Sequence, residues 1–306
     1  MSDFLTPFLM QSAVQAITPI LLAALAGALC GAVGVFNMAM EGQMLIGAFA
    51  AICGSYASHS AGVGVASAIV ASIAFSLILA YGATLFRGDA VVICIGMNLL
   101  ASGLTAYLLR ALFNVSGTFS DPAIEGLARI RLPLMQSIPI LGWGFARQTA
   151  ITWGAWALVI VVALVLFKSP VGLHMRGVGE RPDAAETLGV DVNRYRIVTV
   201  LVSGALCGLA GAQLSLGAVT VFAEDMTAGR GWIAVVAVML GRGHPLYCAA
   251  ACALFGFADA VGLRLQGLGL PNQLTDIAPY VVTLAALAIS HRARNSNALG
   301  KADRND

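Results

Sequence analysis

Polar side chains inside apolar stretches are the residues of this sequence best suited to handling a solute. Amides donate and accept hydrogen bonds without carrying a charge, so they fit a neutral, hydrogen-bonding molecule. The candidates for lining a polar pathway are Asn37, Glu41, Gln43, Asn98 and Gln213. For Asn98 and Gln213, each in the middle of an apolar segment, a hydrogen bond between two helices is the simpler interpretation.

Two carboxylates fall within or beside apolar segments. An ionisable group in such a place usually faces a pathway or pairs with a cation. For Asp259 we expect an ion pair with Arg264 or Arg242 near the membrane surface. For Glu41 a pathway-lining position and a helix start at the interface are equally favoured, because its neighbours are polar too.

No set of residues for catalysis or metal binding is visible. His59, His174, His244 and His291 each lack a ligand partner at helical spacing, and none of the six cysteines forms a CxxC pair. A phosphate-binding loop needs a glycine just before Lys-Ser, and Lys168-Ser169 lacks it. The sequence therefore predicts a protein that is not an enzyme and holds no cofactor of its own.

A charged segment, residues 168–196, separates two apolar regions and carries five of the 17 basic residues. Such a segment cannot lie in lipid, and its basic residues favour the cytoplasmic side. Asp183 and Glu186 have the spacing of a capping box, and Gly189 is a natural helix stop. We predict a short capped helix on a cytoplasmic loop, a form suited to docking a soluble protein.

The composition requires a membrane protein. Hydrophobic residues make up 59% of the chain, charged residues 10%, and the mean hydropathy is +0.86. No basic block is long enough to indicate nucleic-acid binding. We predict an all-α polytopic membrane protein, a single domain over 1–306 with about nine transmembrane helices (range 8–10). The apolar segments are 12–34, 38–57, 62–86, 90–113, 149–167, 197–219, 230–241, 246–266 and 275–291.

Two segments are predicted to be broken or re-entrant. Segment 230–241 is too short to span a bilayer alone and has glycines on both sides, and 38–57 begins with polar residues. Basic residues favour an N-terminus outside and a cytoplasmic tail over 292–306. Alternation of the spans then predicts an extracytoplasmic loop over 114–148, although this loop carries Arg129, Arg131 and Arg147. Glu224, Asp225 and Arg230 then lie on an outer loop, as a solvated turn or a contact for a binding protein.

Four segments, in order, resemble a known family. They are GVFNMAMEGQMLIGAFAA (34–51), GLHMRGVGERPDAAETLGVDVNRYR (172–196), AEDMTAGRGWIAVVAVMLGRGHPL (223–246) and LFGFADAVGLRLQ (254–266). Together they are similar to permease subunits of bacterial ABC importers, of the nucleoside type within the ribose and branched-chain amino acid permease family. Met38, Met40 and Arg181 depart from the pattern.

The resemblance implies a non-catalytic subunit in the bacterial inner membrane, with nucleosides (most of all purine nucleosides) as substrates. It also implies partners: two cytoplasmic ATPases that bind ATP and magnesium, a second, different permease, and an extracytoplasmic binding lipoprotein. The coupling helix maps onto Gly179–Gly189. Its residues for contact with the ATPase are Gly179, Glu180, Arg181, Asp183, Ala184, Ala185, Glu186, Leu188 and Gly189.

Two alternatives stay open. The polar residues would serve a simple sugar or a flavin nearly as well as a nucleoside. A self-sufficient channel or secondary transporter is the alternative of a different class, but ion-coupling acids near the membrane midplane would be expected there.

Overall fold

The computed structural model describes residues 7–131, 144–145 and 147–266. The predicted span 275–291 and the tail 292–306 lie outside these residues. The α-helices are α1 Pro7–Ala32, α2 Met40–Ser58, α3 Ala61–Thr84, α4 Ala90–Phe113, α5 Ala150–Lys168, α6 Pro170–Glu180, α7 Pro182–Thr187, α8 Val192–Ala212, α9 Arg230–Leu240 and α10 Pro245–Gln266. A π-helical turn, Gln213–Val219, extends α8.

Four short strands form two antiparallel pairs in the loops. Strand β1 (Thr118–Phe119) pairs with β4 (Phe222–Ala223), and β2 (Arg129–Arg131) pairs with β3 (Arg147–Thr149). The protein is therefore helical with minor strand pairs in the connections.

Helix α1 lies at the centre of the bundle. It packs against α5, α8, α9 and α10, and 89% of its most apolar stretch is buried. The helix carries no charged side chain and is rich in alanine and glycine, so neighbouring helices can approach it from every side.

Helices α2, α3 and α8 pack at very short distance through small residues. A Cβ built on Gly47 would lie 2.8 Å from the Gly208 Cα, and one built on Gly208 would lie 2.6 Å from the Ala68 carbonyl oxygen. Backbone atoms cannot yield as a flexible side chain can, so both positions require glycine. The small-residue run around 203–217 in the sequence thus marks a helix contact.

Six of the described helices are long and apolar enough to cross a membrane: α1, α3, α4, α5, α8 with its π-helical extension, and α10. The predicted number of about nine is not confirmed. Helix α2 begins with polar residues and is not among the six, and α9 has only 11 residues. Non-helical segments precede both, 33–39 before α2 and 220–229, which includes strand β4, before α9. That these elements are broken or re-entrant in the membrane stays a prediction.

The charged segment 168–196 is two helices, α6 and α7, followed by the start of α8. The prediction of Asp183 as a helix cap is wrong: Arg181 holds the cap position without a side-chain hydrogen bond, and Pro182 begins α7. Pro is favoured there because its missing N–H would be unpaired anyway. The predicted stop is confirmed, since Gly189 has φ +80° and its N–H donates to the Glu186 carbonyl at 2.9 Å.

The loop around 114–131 and the charged segment lie at opposite ends of the bundle. Ser55 and His59, at the end of α2, contact the carbonyls of Glu125 and Ala123. At the other end, Arg196 donates to the Val33 carbonyl just after α1.

Candidate functional site

The irregular segment 33–39 holds the first buried polar network. The Asn37 Nδ2 donates to the Gln43 Oε1 at 3.2 Å and to the Ser203 Oγ at 3.0 Å. Its Oδ1 accepts the Ala39 N–H at 2.9 Å. Asn37 is 3% exposed and Gln43 0%, so this network joins the start of α2 to α8 in the interior of the chain.

Asn98 supports the same segment from α4. Its Nδ2 donates to the Met38 carbonyl at 3.0 Å, and its Oδ1 accepts the Gly42 N–H at 2.9 Å. Met38 and Gly42 stand on either side of the start of α2, where backbone groups lack helical partners. Asn98 therefore joins α4 to the start of α2 through two hydrogen bonds.

Glu41 bridges the two broken elements. Its Oε1 accepts the Gly229 N–H at 2.8 Å and its Oε2 accepts the Gly231 N–H at 2.6 Å. These amides are at the N-terminus of α9, where N–H groups have no partner inside the helix and a negative charge is favoured. The carboxylate is partly buried.

Gln213 belongs to a second buried network. The Thr149 Oγ1 donates to the Gln213 Oε1 at 2.7 Å, and Thr149, Thr152 and Thr18 follow one another at hydroxyl separations of 3.1 and 3.3 Å. The network joins α1, the start of α5 and the end of α8. Gln213 is 1% exposed, and among the described residues its Nε2 has no hydrogen-bond partner.

The candidate contacts for a binding protein are mostly engaged within the chain. Arg230 lies in α9, not on a loop, and its Nη2 is 3.4 Å from the Asp259 Oδ2. Asp259 therefore pairs with Arg230 and not with the predicted Arg242, while the side chain of Arg264, the other predicted partner, lies outside the described part of the structure. Glu224 accepts the Gly117 N–H at 3.1 Å and lies 3.8 Å from Arg110, whereas Asp225 is exposed.

The charged segment presents a defined face. Ala184, Asp183 and Glu186 are exposed on α7, and Leu188 is 84% exposed. Ala185 does not share this face, since it packs inward against the bundle and is 6% exposed. Gly179 and Glu180 belong to α6, and Gly179 packs against the backbone of Ala32 and Gly34 without room for a Cβ.

An apolar groove of about 830 Å³ lies between α5, α6 and α8. Its walls include Val161, Val198 and Val202, all exposed, and its polar end holds His174 beside Tyr195. None of the five pathway candidates lines it. Among the described residues, no three His, Cys, Asp or Glu side chains gather as a metal site.

The sequence model of one protein family, described as the permease component of branched-chain amino acid transport systems, matches residues 9–287. The chain belongs to this permease family. The match covers the broken elements, both polar networks and the charged segment, and several apolar helices make this permease a multi-pass membrane protein.

Three curated relatives are similar to the permease over most of its length. The guanosine ABC transporter permease protein NupQ of Bacillus subtilis is 33% identical over 88% of this chain and 87% of its own. The nucleoside ABC transporter permease protein NupC of Lactococcus lactis is 31% identical over 89% and 88%. The glucose ABC transporter permease protein TsgB13 of Haloferax volcanii is 27% identical over 87% and 72%.

One solved structure shares the fold. A chain of a metal-chelate type ABC transporter in an inward-facing conformation has a TM-score of 0.56 over 91% of the permease and 85% of that chain. Sequence identity is 14%, so this likeness concerns the arrangement of helices.

The structure brings four of the five pathway candidates of the permease together. Asn37, Glu41, Gln43 and Asn98 surround the start of α2, and Gln213 lies in the threonine network. Sequence reasoning missed Ser203, Thr149 and the α9 amides of Gly229 and Gly231. A single hydroxyl in a small-residue run, or a backbone N–H, leaves no pattern in a sequence.

Proposed function

We propose that this permease is the membrane subunit of an ATP-driven importer of nucleosides, with purine nucleosides as the main substrates. The observation that carries the proposal is the 33% identity to the guanosine permease NupQ over 88% of the chain, which includes both broken elements. A simple sugar is the second candidate, favoured by the similarity to TsgB13.

The site chemistry supports a neutral solute. The N-terminus of half-helix α9 could attract an anion, but Glu41 already occupies it. The surrounding groups are amides and hydroxyls, which match the hydroxyls and base edges of a nucleoside. In this proposal Asn37, Glu41, Gln43, Asn98 and Gln213 border the pathway, and a solute reaches the buried amides only when the helices around them move apart.

In this proposal, ATP hydrolysis by partner subunits supplies the free energy for transport. We place two ATPase subunits, which bind ATP and magnesium, against the exposed face of α7 formed by Ala184, Leu188, Asp183 and Glu186. A second, different permease completes the pathway, and a binding lipoprotein delivers the solute outside, where Asp225 is exposed. This places the permease in the bacterial inner membrane with its N-terminus outside and its C-terminus in the cytoplasm.

The test is reconstitution in proteoliposomes with the ATPase, the second permease and the binding protein. We expect ATP-dependent uptake of radiolabelled guanosine, reduced by excess unlabelled adenosine and unaffected by glucose. Uptake blocked by glucose would instead support the sugar importer. Uptake by the permease alone would contradict the ATP-driven mechanism and support a channel or secondary transporter.

The docking face is tested by Ala184→Trp, because a large ring on this exposed alanine prevents close contact with a partner. We expect the variant to fold and to lose co-purification with the ATPase. Ala57→Trp is the matched control, since Ala57 is exposed on α2 at the opposite end of the bundle. Equal ATPase recovery from both variants would refute docking at α7.

A further inference from the structure

Two interrupted membrane elements meet at one side chain. Helix α2 begins at Met40 after the irregular segment 33–39, and α9 begins at Arg230 after 220–229. Glu41 lies in the first turn of α2 while its carboxylate accepts both the Gly229 and the Gly231 N–H. The two helices thus meet N-terminus to N-terminus around one negative charge.

This arrangement stabilises both helix ends at once. Each helix N-terminus carries a partial positive charge from its unpaired amides, and two such ends repel each other unless a negative group lies between them. Hydrogen bonds from backbone N–H groups to a carboxylate are among the strongest in proteins. Without Glu41, two partly buried amides of α9 would lose their partners.

The contact is also close in space. A Cβ built on Gly231 would lie 2.5 Å from the Glu41 N and 2.6 Å from its Cα, so a side chain there would push α9 away. In the same first turn of α9, Arg230 pairs with Asp259 of α10. Helices α2, α9 and α10 are therefore held together at this point.

The beginning of segment 33–39 contacts the charged segment 168–196. Gly179 of α6 packs on the backbone of Ala32 and Gly34, and Arg196 of α8 donates to the Val33 carbonyl at 3.3 Å. Six residues lie between Gly34 and Glu41 in sequence, and Asn37 and Asn98 fix the backbone of this stretch. Packed backbone therefore connects α6 to the start of α2.

We propose that Glu41 is a positioning residue that holds the short helix α9 against the start of α2, so that α9 and α10 follow movements of the charged segment 168–196. Its role is mechanical, and the solute does not need to touch it. The local contact is a property of the permease itself, whereas its effect on transport rests on the proposed function.

The local contact is tested by hydrogen exchange on the purified permease in nanodiscs. In Glu41→Gln one acceptor oxygen becomes an NH₂ group facing a backbone N–H, so we expect amides in residues 226–233 to exchange about tenfold faster or more. Glu125→Gln, an exposed glutamate on the outer loop, is the control and should leave these residues unchanged. Unchanged exchange in Glu41→Gln would overturn the proposal.

The mechanical role is tested in the reconstituted complex by measuring ATP hydrolysis and uptake together. We expect Glu41→Gln to keep assembly and ATP hydrolysis while uptake per ATP falls at least about tenfold, and Glu41→Asp to restore part of it. A merely structural residue would lower both rates with the amount of folded protein. An unchanged ratio of uptake to ATP hydrolysis would refute the mechanical role.

Two further results, a variant that does not fold and a wild-type complex that does not transport nucleosides, have separate consequences. If Glu41→Gln yields no folded protein, Glu41→Asp replaces it: its chain is one methylene shorter, so we expect partly faster exchange in 226–233, and wild-type exchange together with an unchanged ratio of uptake to ATP hydrolysis would refute the proposal. If the wild-type complex moves no nucleoside, the proposed function fails, while the exchange result still decides the contact at Glu41.

Discussion

At the scale of single residues, the buried amides hold the permease together in the state described. Asn37 makes four hydrogen bonds with protein groups, the weakest from the Cys94 thiol at 3.9 Å, and its partners lie on segment 33–39, α2, α4 and α8. Buried polar groups cost free energy unless they are paired, so each of these bonds fixes the position of its partner. A pathway role for the same residues stays a prediction.

Asn37→Ala tests the first network. The change leaves the Ser203 hydroxyl and the Ala39 N–H without this partner, and we expect a loss of about 1–3 kcal/mol in the free energy of unfolding. The measurement is denaturation in mixed micelles, followed by circular dichroism. Asn193→Ala, at an exposed position of α8, is the control and should change stability by less than about 0.5 kcal/mol. Equal stability of the two variants would contradict a supporting role for Asn37.

At the scale of elements, glycine decides how closely the helices approach. Helix α8 packs on α2 and α3 through Gly208, whose surroundings are backbone atoms. Helix α4 contrasts with it, since a Cβ on Gly96 or Gly103 would meet nothing within 4 Å among the described residues. Both helices show glycine within an apolar run, and only the packing separates a required glycine from a replaceable one.

Gly208→Ala and Gly103→Ala form a matched pair. Alanine favours the helix by about 1 kcal/mol over glycine at both sites, so Gly103→Ala should be neutral or slightly stabilising. Gly208→Ala must separate α8 from α3, and we expect a net loss of about 1–3 kcal/mol. Thermal unfolding in detergent measures both. A Gly208→Ala variant as stable as the wild type would show that the helix contact is looser than described.

In the charged segment, the sequence predicts the end of helix α7 correctly but not its start or its exposed face. Gly189 was identified as a helix stop because a positive φ at that place favours glycine, and the structure confirms it. The predicted helix start is wrong, because Asp183 lies inside α7: Arg181 is the N-cap and Pro182 is the first helical residue. The sequence does not show whether Ala184 or Ala185 faces solvent, because both are alanines on adjacent positions of one helix. The packing of α7 against the bundle decides that Ala184 is exposed and Ala185 is buried.

At the scale of the whole molecule, the two sets of loops lie at opposite ends of the bundle. Residues 118–131 and 222–224 join at the end where α2 and α8 finish, and α6 and α7 lie where α1 finishes. The basic residues of 168–196 predict that this second end lies in the cytoplasm, because positively charged loops tend to stay inside. In the proposed topology the ATPases dock at this end and the binding protein docks at the other.

Cysteine labelling tests this orientation. With the half-buried Cys53 changed to serine, the remaining native cysteines are buried. Leu188→Cys and Ser120→Cys each add one exposed thiol, at opposite ends. We expect a membrane-impermeant maleimide to label Ser120→Cys in intact cells and Leu188→Cys only after permeabilisation. The reverse pattern would invert the proposed topology.

Composition and local pattern alone establish the class of the molecule and predict two places where its helices are interrupted. Apolar composition requires a membrane protein, and the polar residues at the start of α2 and the glycines around α9 predict interruptions at those two places, because these effects act over a few neighbouring residues. The tertiary structure decided which side chains meet. The Glu41 carboxylate and the Gly231 N–H are 190 positions apart, and the ion-paired Arg230 and Asp259 are 29 positions apart. Such contacts depend on how helices pack across the bundle, and no local pattern encodes that packing.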